Sequence, residues 1–391
     1  MRILTFTSLF PNSADQTLGI FVYQRILHVA CHSQNSVCVV APVPYFPSWL
    51  PLAKWKKTGK IPRMEQIGQL TVYHPRYFLV PKVSMYLHGL LMFLGCFSLL
   101  RKLHRHSGFD CIDAHYVYPD GLAAVLAGKL MGLPVVVSGR GSDIHLLATF
   151  RGIRSMVRWT LRHASRCIAV SREIANRMVA LGLPESKIAV IGNGIDPTRF
   201  QAMDRNEARQ ILGLPLGVRM VVAVGALVAV KNYRLLMEAS REVLQRYPDL
   251  KVYVVGEGDL RAQLEEFAQG AGLGECVRFP GKCDNTELHR WYSAADVSCL
   301  SSSREGWPNV VLESLACGTP VVATRVGAVP EILTSPELGI MVEPDVKALR
   351  DGLCQALDRS WDRQGISGYG LKRTWEDVAR EVEETLQAVQ K

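Results

Sequence analysis

Apolar and polar positions alternate between two rhythms along the whole chain. Short, nearly continuous apolar runs rich in β-branched residues give way to longer stretches where apolar residues recur every three or four positions. The short runs predict strands at Arg2–Ser8, Ser36–Pro42, Cys111–His115, Val135–Gly139, Arg166–Ser171 and Lys187–Asn193. They continue at Met220–Ala226, Lys251–Glu257, Val277–Gly281, Asp296–Ser302, Pro320–Thr324 and Gly339–Glu343. Strands that are apolar throughout must be covered on both faces, as in parallel sheets. Intervening segments such as Tyr233–Tyr247 and Asp259–Ala268 read as amphipathic helices. Such strand–helix alternation implies an α/β protein with helices on both faces of its sheets. Two glycines and a proline interrupt the pattern at Gly192–Arg205, which marks a connector. The expected organisation is two Rossmann-like domains, residues 1–195 and 196–371, facing a central cleft. A final segment, 372–391, carries a helix at Trp375–Val389 expected to pack back on the first domain. Ligands of such sheets bind beyond the carboxyl ends of the strands, so the strand-to-helix loops should hold the chemistry.

Composition narrows the class. A chain of 391 residues with 48% hydrophobic and 21% charged side chains is neither disordered nor a disulfide-stapled miniprotein. The formal charge of +9 is unevenly spread. Residues 1–195 hold 22 basic and 8 acidic side chains, and residues 196–391 hold 23 and 28, so the two halves should meet different partners. No basic stripe is interleaved with aromatics, which argues against nucleic acid. The ten cysteines are scattered singly and form no C-x-x-C pair, so they read as reduced core residues rather than a zinc or redox site. The N-terminus MRILTFTSLFPNS reads as a strand, not a signal peptide, and the expected location is cytoplasmic. Val83–Leu100 contains no formally charged residue and reaches the lower bound of roughly 17–25 residues for a spanning helix, yet its serines, histidine and glycines favour a buried or interfacial helix. With the basic clusters Lys54–Arg63 and Arg101–Arg105, it suggests peripheral contact with an anionic membrane surface.

The most informative stretch is Asp296–Val326. A buried strand, a polar loop and a helix expected to start at Pro308 follow one another, so the positive helix end faces the carboxyl edge of the sheet and suits a phosphate. Glu305 and Glu313 frame this loop; carboxylates accept hydrogen bonds from vicinal hydroxyls, as sugar or ribose recognition requires. In the first half Asp143, His145 and His115 fall at strand ends, where Asp143 could equally cap the following helix.

The run REGWPNVVLESLACGTPVVAT resembles the signature of the family 4 glycosyltransferases, retaining enzymes of the GT-B fold. VAVSREIANRMVALGLPESKIAVIGNGID, VVGEGDLRAQLEE and VRFPGK are similar to further segments of that family, so the likeness covers nearly the whole chain. SLFPNSADQTLGIFV and DAHYVYPDGLAAVLAGKLMGLPVVVSGRGSDIH resemble a bacterial branch that builds cell-envelope polysaccharides. The resemblance implies a nucleotide-diphosphate sugar donor and a glycan or lipid-linked glycan acceptor. It implies that Glu305 binds the transferred sugar, Glu313 the ribose, and Gly306, Trp307, Pro308 and Asn309 the sugar or diphosphate. Lys231 would neutralise the leaving diphosphate, with Gly19, Gly256 and Lys282 on further donor-side loops. Asp143 is placed with the catalytic residues, and His115, Arg140 and His145 on the acceptor side. No cofactor and no metal are expected, since no D-x-D occurs. One departure is Ala226, where many members carry arginine; Arg140 or Lys282 could supply the missing cation. An inactive sugar-nucleotide-binding relative and a sugar-nucleotide 2-epimerase on the same fold remain alternatives.

Overall fold

The computed structural model describes residues 1–45, 58–79, 84–284 and 286–390. The chain divides into two compact units. One comprises Met1–Asn193 together with Trp375–Lys391, the other Gly194–Thr374.

The N-terminal unit is built on an eight-stranded sheet. Its spatial order is Ile188–Val190, Arg166–Ala169, Val135–Gly139, Cys111–His115, Arg2–Phe6, Ser36–Val40, Leu70–Tyr73 and Met64–Ile67. All pairings are parallel except the last, an antiparallel hairpin in which Glu65 faces Val72. That hairpin, and a small parallel pair Val43–Tyr45 with Arg76–Phe78, escaped the sequence pattern because Met64-Glu65-Gln66-Ile67 carries no apolar run. The central strands are buried along their whole length, as their composition requires. The terminal helix Trp375–Gln387 packs on the first helix, Ile20–His32. Its residues Trp375, Val378, Ala379, Val382 and Leu386, spaced at three and four, join Ile3, Val29, Cys111, Val136 and Ile168 in one core. The Ser33 hydroxyl donates to Glu383 Oε2 at 2.9 Å and pins the same helix pair.

The second unit is a six-stranded parallel sheet ordered Val277–Gly281, Lys251–Val255, Met220–Val224, Val297–Leu300, Val321–Thr324 and Gly339–Val342. Apolar clusters fill both of its faces. Each of the twelve expected strands is present, most of them trimmed at the carboxyl end, where the chain turns into loops. All ten cysteines are free thiols.

The apolar segment before Arg101 forms part of a helix, His88–Ser107, whose last turns are basic. No helix among the described residues is long and apolar enough to cross a membrane. Val83 and most of the basic cluster Lys54–Arg63, including Lys54, Lys56 and Lys57, lie outside the described residues.

Candidate active site

Within the C-terminal unit, sheet order brings distant loops together. Met220–Val224 and Val297–Leu300 are hydrogen-bonded neighbours, so the loops leaving their carboxyl ends lie side by side. Ser303 N donates to Val230 O at 2.9 Å and Ser301 Oγ to Lys231 O at 2.9 Å, which ties one loop to the other. Lys231 ends a short 3₁₀ turn, Ala229–Lys231, and Asn232 then takes a left-handed conformation that redirects the chain into the helix Tyr233–Val243. As a result Lys231 Nζ donates to Glu305 Oε1 at 2.7 Å, across 74 positions of sequence. The Ser302 hydroxyl donates to the same oxygen at 2.7 Å. Among the described residues no hydrogen bond engages Oε2, so a hydroxyl ligand has one acceptor oxygen to address.

The helix after this loop spans Asn309–Ala316, with Pro308 as the residue before it (φ −79°, ψ 89°) rather than in its first turn. The positive helix pole therefore points at the loop Glu305–Pro308. Glu313 lies one turn further along, partly buried, and Tyr292 donates its hydroxyl to Glu313 Oε2 at 2.8 Å. Burial raises the Glu313 carboxyl above the usual range, against the Tyr292 hydrogen bond and the fields of Arg199 and Lys231.

Glycines make the close approaches possible. Gly256, at φ +155°, lies where a Cβ would stand 2.0 Å from Gly225 O, so the two loops touch backbone to backbone. Gly327, at φ +52°, would place a Cβ 2.3 Å from Glu305 O, and so supports the Glu305 backbone from beneath.

Three contributors escaped the sequence reading. Gly327 follows the signature run at no telling spacing. Arg199 lies in the connector, where its charge bears on both Glu313 and Asp284. Tyr233 buries a hydroxyl without a hydrogen-bond partner beside Lys231 and Gly225. Lys282 is exposed and follows the edge strand Val277–Gly281, two strands along the sheet from the strand that precedes Lys231. Arg140 belongs to the N-terminal unit.

In the N-terminal unit Gly19 caps the helix Ile20–His32 with φ +61°, and a Cβ there would meet Leu9 O at 2.3 Å. The other candidates form a buried network at the carboxyl edge of the sheet. Arg25 Nη2 lies 3.2 Å from Asp113 Oδ1, and Arg25 Nη1 donates to Ser138 Oγ at 2.9 Å. His115 Nε2 is 3.1 Å from Asp113 Oδ2, while Arg140 Nη2 is 2.6 Å from His115 Nδ1. Arg140 Nη1 donates to Asn193 Oδ1 at 3.3 Å.

Burial pushes His115 down to about 3, and the nearby Arg140 and Arg25 act in the same direction, so the ring is neutral. Its partners assign the proton to Nε2, donated to Asp113, and leave Nδ1 to accept from Arg140. Both ring nitrogens are thus committed, and His115 orients Arg140 rather than presenting a free nitrogen. Burial opposes ionisation of Asp113, but Arg25, His115 and Arg140 together hold its carboxyl well below the usual range. Burial lowers Arg140 to about 9, with Arg25 adding to the effect.

Asp143 differs from the role expected of a reacting group. It is fully buried, and accepts from Gly141 N at 2.8 Å, Val117 N at 2.8 Å and Arg140 N at 3.1 Å. Its carboxylate clamps two loops together. His145 Nε2 lies 2.9 Å from Glu173 Oε2, and only 7% of the residue is exposed. Among the described residues no cluster of three or more His, Cys, Asp or Glu could hold a metal ion.

Comparison with known proteins agrees with this architecture. Residues 204–373 match the model for glycosyl transferases group 1, and residues 46–199 match that for glycosyltransferase family 4. The putative teichuronic acid biosynthesis glycosyltransferase TuaC of Bacillus subtilis (strain 168) is 28% identical over 395 residues, covering 99% of this chain and 94% of that protein. A D-inositol 3-phosphate glycosyltransferase of Corynebacterium urealyticum is 33% identical over 215 residues, 51% of each chain. Among solved structures, sucrose-phosphate synthase of Thermosynechococcus elongatus superposes with a TM-score of 0.77 at 18% identity, over 99% of both chains. Anabaena Alr3699/HepE in complex with UDP gives 0.75 at 18% identity, over 99% of this chain and 100% of that one. The fold is GT-B, and the chain belongs to the family 4 glycosyltransferases.

Proposed function

We propose that the protein is a retaining glycosyltransferase that moves a sugar from a nucleotide diphosphate to a glycan or lipid-linked glycan acceptor in cell-envelope polysaccharide synthesis. The observation that carries this reading is the Lys231–Glu305 pair, 2.7 Å apart, set before the positive pole of the helix Asn309–Ala316. In this reading the sugar hydroxyls bind Glu305 through Oε2. The diphosphate lies against Lys231 and the backbone of Gly306, Trp307, Pro308 and Asn309. Glu313, oriented by Tyr292, takes the ribose hydroxyls, while Gly19, Gly256 and Lys282 lie on further donor-side loops.

The bond from the anomeric carbon to the leaving phosphate oxygen breaks first, through an oxocarbenium-like state. Charge builds on the diphosphate, where a fixed ammonium and a helix pole stabilise it without solvent reorganisation. The acceptor hydroxyl then bonds to the same face of the anomeric carbon, and its proton passes to a phosphate oxygen. No metal or other cofactor is needed for these steps. Arg140, positioned by His115 and Asn193, and His145 belong to the acceptor side; Asp143 holds their loops. The similarity to a putative teichuronic acid biosynthesis enzyme supports the envelope assignment, and the basic N-terminal half supports a cytoplasmic enzyme working at an anionic membrane surface.

A thermal-shift panel of UDP-, GDP- and ADP-sugars should show one donor raising the melting temperature, since a ligand of the native state stabilises it. Product analysis with that donor should show a glycoside of unchanged anomeric configuration. An inverted product would overturn the retaining mechanism. A free epimerised sugar nucleotide would replace transfer by epimerisation.

A further inference from the structure

We propose that one face of the N-terminal unit docks on an anionic phospholipid bilayer through the arginine stripe of the helix Arg151–His163 and the exposed apolar side chains next to it. The inference rests on the reading of a membrane-presented acceptor and names a surface for it.

Arg151, Arg154, Arg158 and Arg162 recur at spacings of three and four, so they form one stripe along the helix. All four are exposed, while Ile153, Val157 and Leu161 on the opposite face are buried. No carboxylate pairs with them among the described residues; Glu173, the acidic residue of the next helix, is taken by His145 and Arg177. The guanidinium groups of Arg158 and Arg162 both border Gly182, within 3.7 and 3.2 Å of the point where a Cβ would stand. Like charges held side by side without a counter-charge favour an anionic partner.

The neighbouring apolar surface decides which anion. The Tyr86 ring comes within 2.8 Å of the Cβ position of Gly152, so the start of the arginine helix abuts the start of the helix His88–Ser107. There Leu87, Leu90 and Leu94 lie on one face, with 53%, 44% and 63% of each exposed. Arg101 and Arg105 continue that face after the leucines. On the other side Leu146 and Phe150 are exposed just before Arg151. Apolar side chains flanked by unpaired cations suit a bilayer, whose headgroups take the charge and whose acyl boundary takes the leucines. Nucleic acid would give the leucines nothing. Leu146 and Phe150 also follow directly on Asp143 and His145, so docking by this face brings the bilayer to the acceptor-side loop.

Flotation with vesicles of phosphatidylcholine alone, or mixed with phosphatidylglycerol, tests the assignment. The full-length protein should bind only the anionic vesicles, less strongly as salt rises. The triple variant Arg154→Gln/Arg158→Gln/Arg162→Gln should bind about a hundredfold more weakly, at about fivefold per charge. Leu87→Ser/Leu90→Ser/Leu94→Ser should also weaken binding, whereas Arg241→Gln, an exposed arginine of the other unit, should not. Donor-induced thermal stabilisation should persist in every variant, which shows that each is folded. Absence of binding to anionic vesicles overturns the proposal, as does a triple arginine variant that binds like the parent. Equal capture of single-stranded DNA, together with indifference to the leucine changes, would reassign the stripe to nucleic acid. A parent protein that binds vesicles but is stabilised by no sugar nucleotide would instead refute the proposed function and leave the docking surface standing.

Discussion

At the carboxyl edge of the N-terminal sheet, Arg25, Asp113, His115 and Arg140 are buried and hold one another in a closed network. At the corresponding edge of the C-terminal sheet, Lys231 and Glu305 also pair, but their side chains remain 19% and 12% exposed, and one carboxylate oxygen stays open. Charges withdrawn from water and paired with one another hold structure before they do anything else, because removing any partner strands a charge in low dielectric. Charges at a rim can exchange their partner for a ligand at little expense to the fold. The first edge should therefore fail by unfolding, and the second by losing chemistry.

Four tests, five substitutions in all, probe that contrast. Asp113→Ala leaves Arg25 without its counter-charge and should destabilise the fold by about 3–5 kcal/mol in urea denaturation; a loss below 1 kcal/mol would remove the distinction between the edges. Glu305→Gln and Lys231→Ala should each lower kcat by about 10²–10³-fold, the scale of a lost oxyanion-type donor, with at most about 2 kcal/mol of stability. Normal turnover in either variant would dismantle the donor site.

The third is a matter of pH. Burial raises the Asp120 carboxyl to about 7, against the hydrogen bonds from Ser8. Its folded value thus stands above the unfolded value of about 3.9, so the folded state binds the proton more tightly. The stability that Asp120 supplies is complete below about pH 4 and is lost as pH rises through about 7. Asp120→Asn should therefore gain on the parent by on the order of 4 kcal/mol between about pH 4 and 8, read from the difference in urea midpoints. His115, held neutral, titrates with the opposite sign in both proteins and cancels from that difference. A difference independent of pH would mean that Asp120 is ionised throughout. The smallest effect is expected from Tyr292→Phe, which removes one hydrogen bond to Glu313. Donor affinity should fall by a few-fold, or about 0.5–1.5 kcal/mol, with kcat unchanged; a selective fall in kcat would place Glu313 in the chemical step instead.

Much of this was legible in the chain. Runs such as Val135–Gly139 could only be buried strands, and Glu305, Pro308 and Glu313 stand close enough in sequence for a loop and helix start to be inferred. The Met64–Ile67 hairpin was not visible, because on this edge strand the apolar Met64 is exposed and the acidic Glu65 is turned in to His74, the reverse of the usual pattern. Arg25 was also hidden: it lies in a helix where arginine ordinarily marks the solvent face, and its partner is 88 residues away. Asp143 was readable as a strand-end carboxylate, but its three backbone donors come from loops whose meeting no local pattern encodes.

By itself the sequence determined the alternation of strands and helices, the family, and the loops on which chemistry is carried, since these depend on local periodicity and short-range spacing. Tertiary structure alone decided which charges face one another. Lys231 meets Glu305 because two parallel strands are neighbours. His115 is neutral because the assembled sheet buries it, while the neighbouring strand Val135–Gly139 carries Arg140 to its ring. The physical reason is that a side chain's ionisation and its openness to a ligand depend on burial and on partners many residues away, and these exist only once the sheets are assembled.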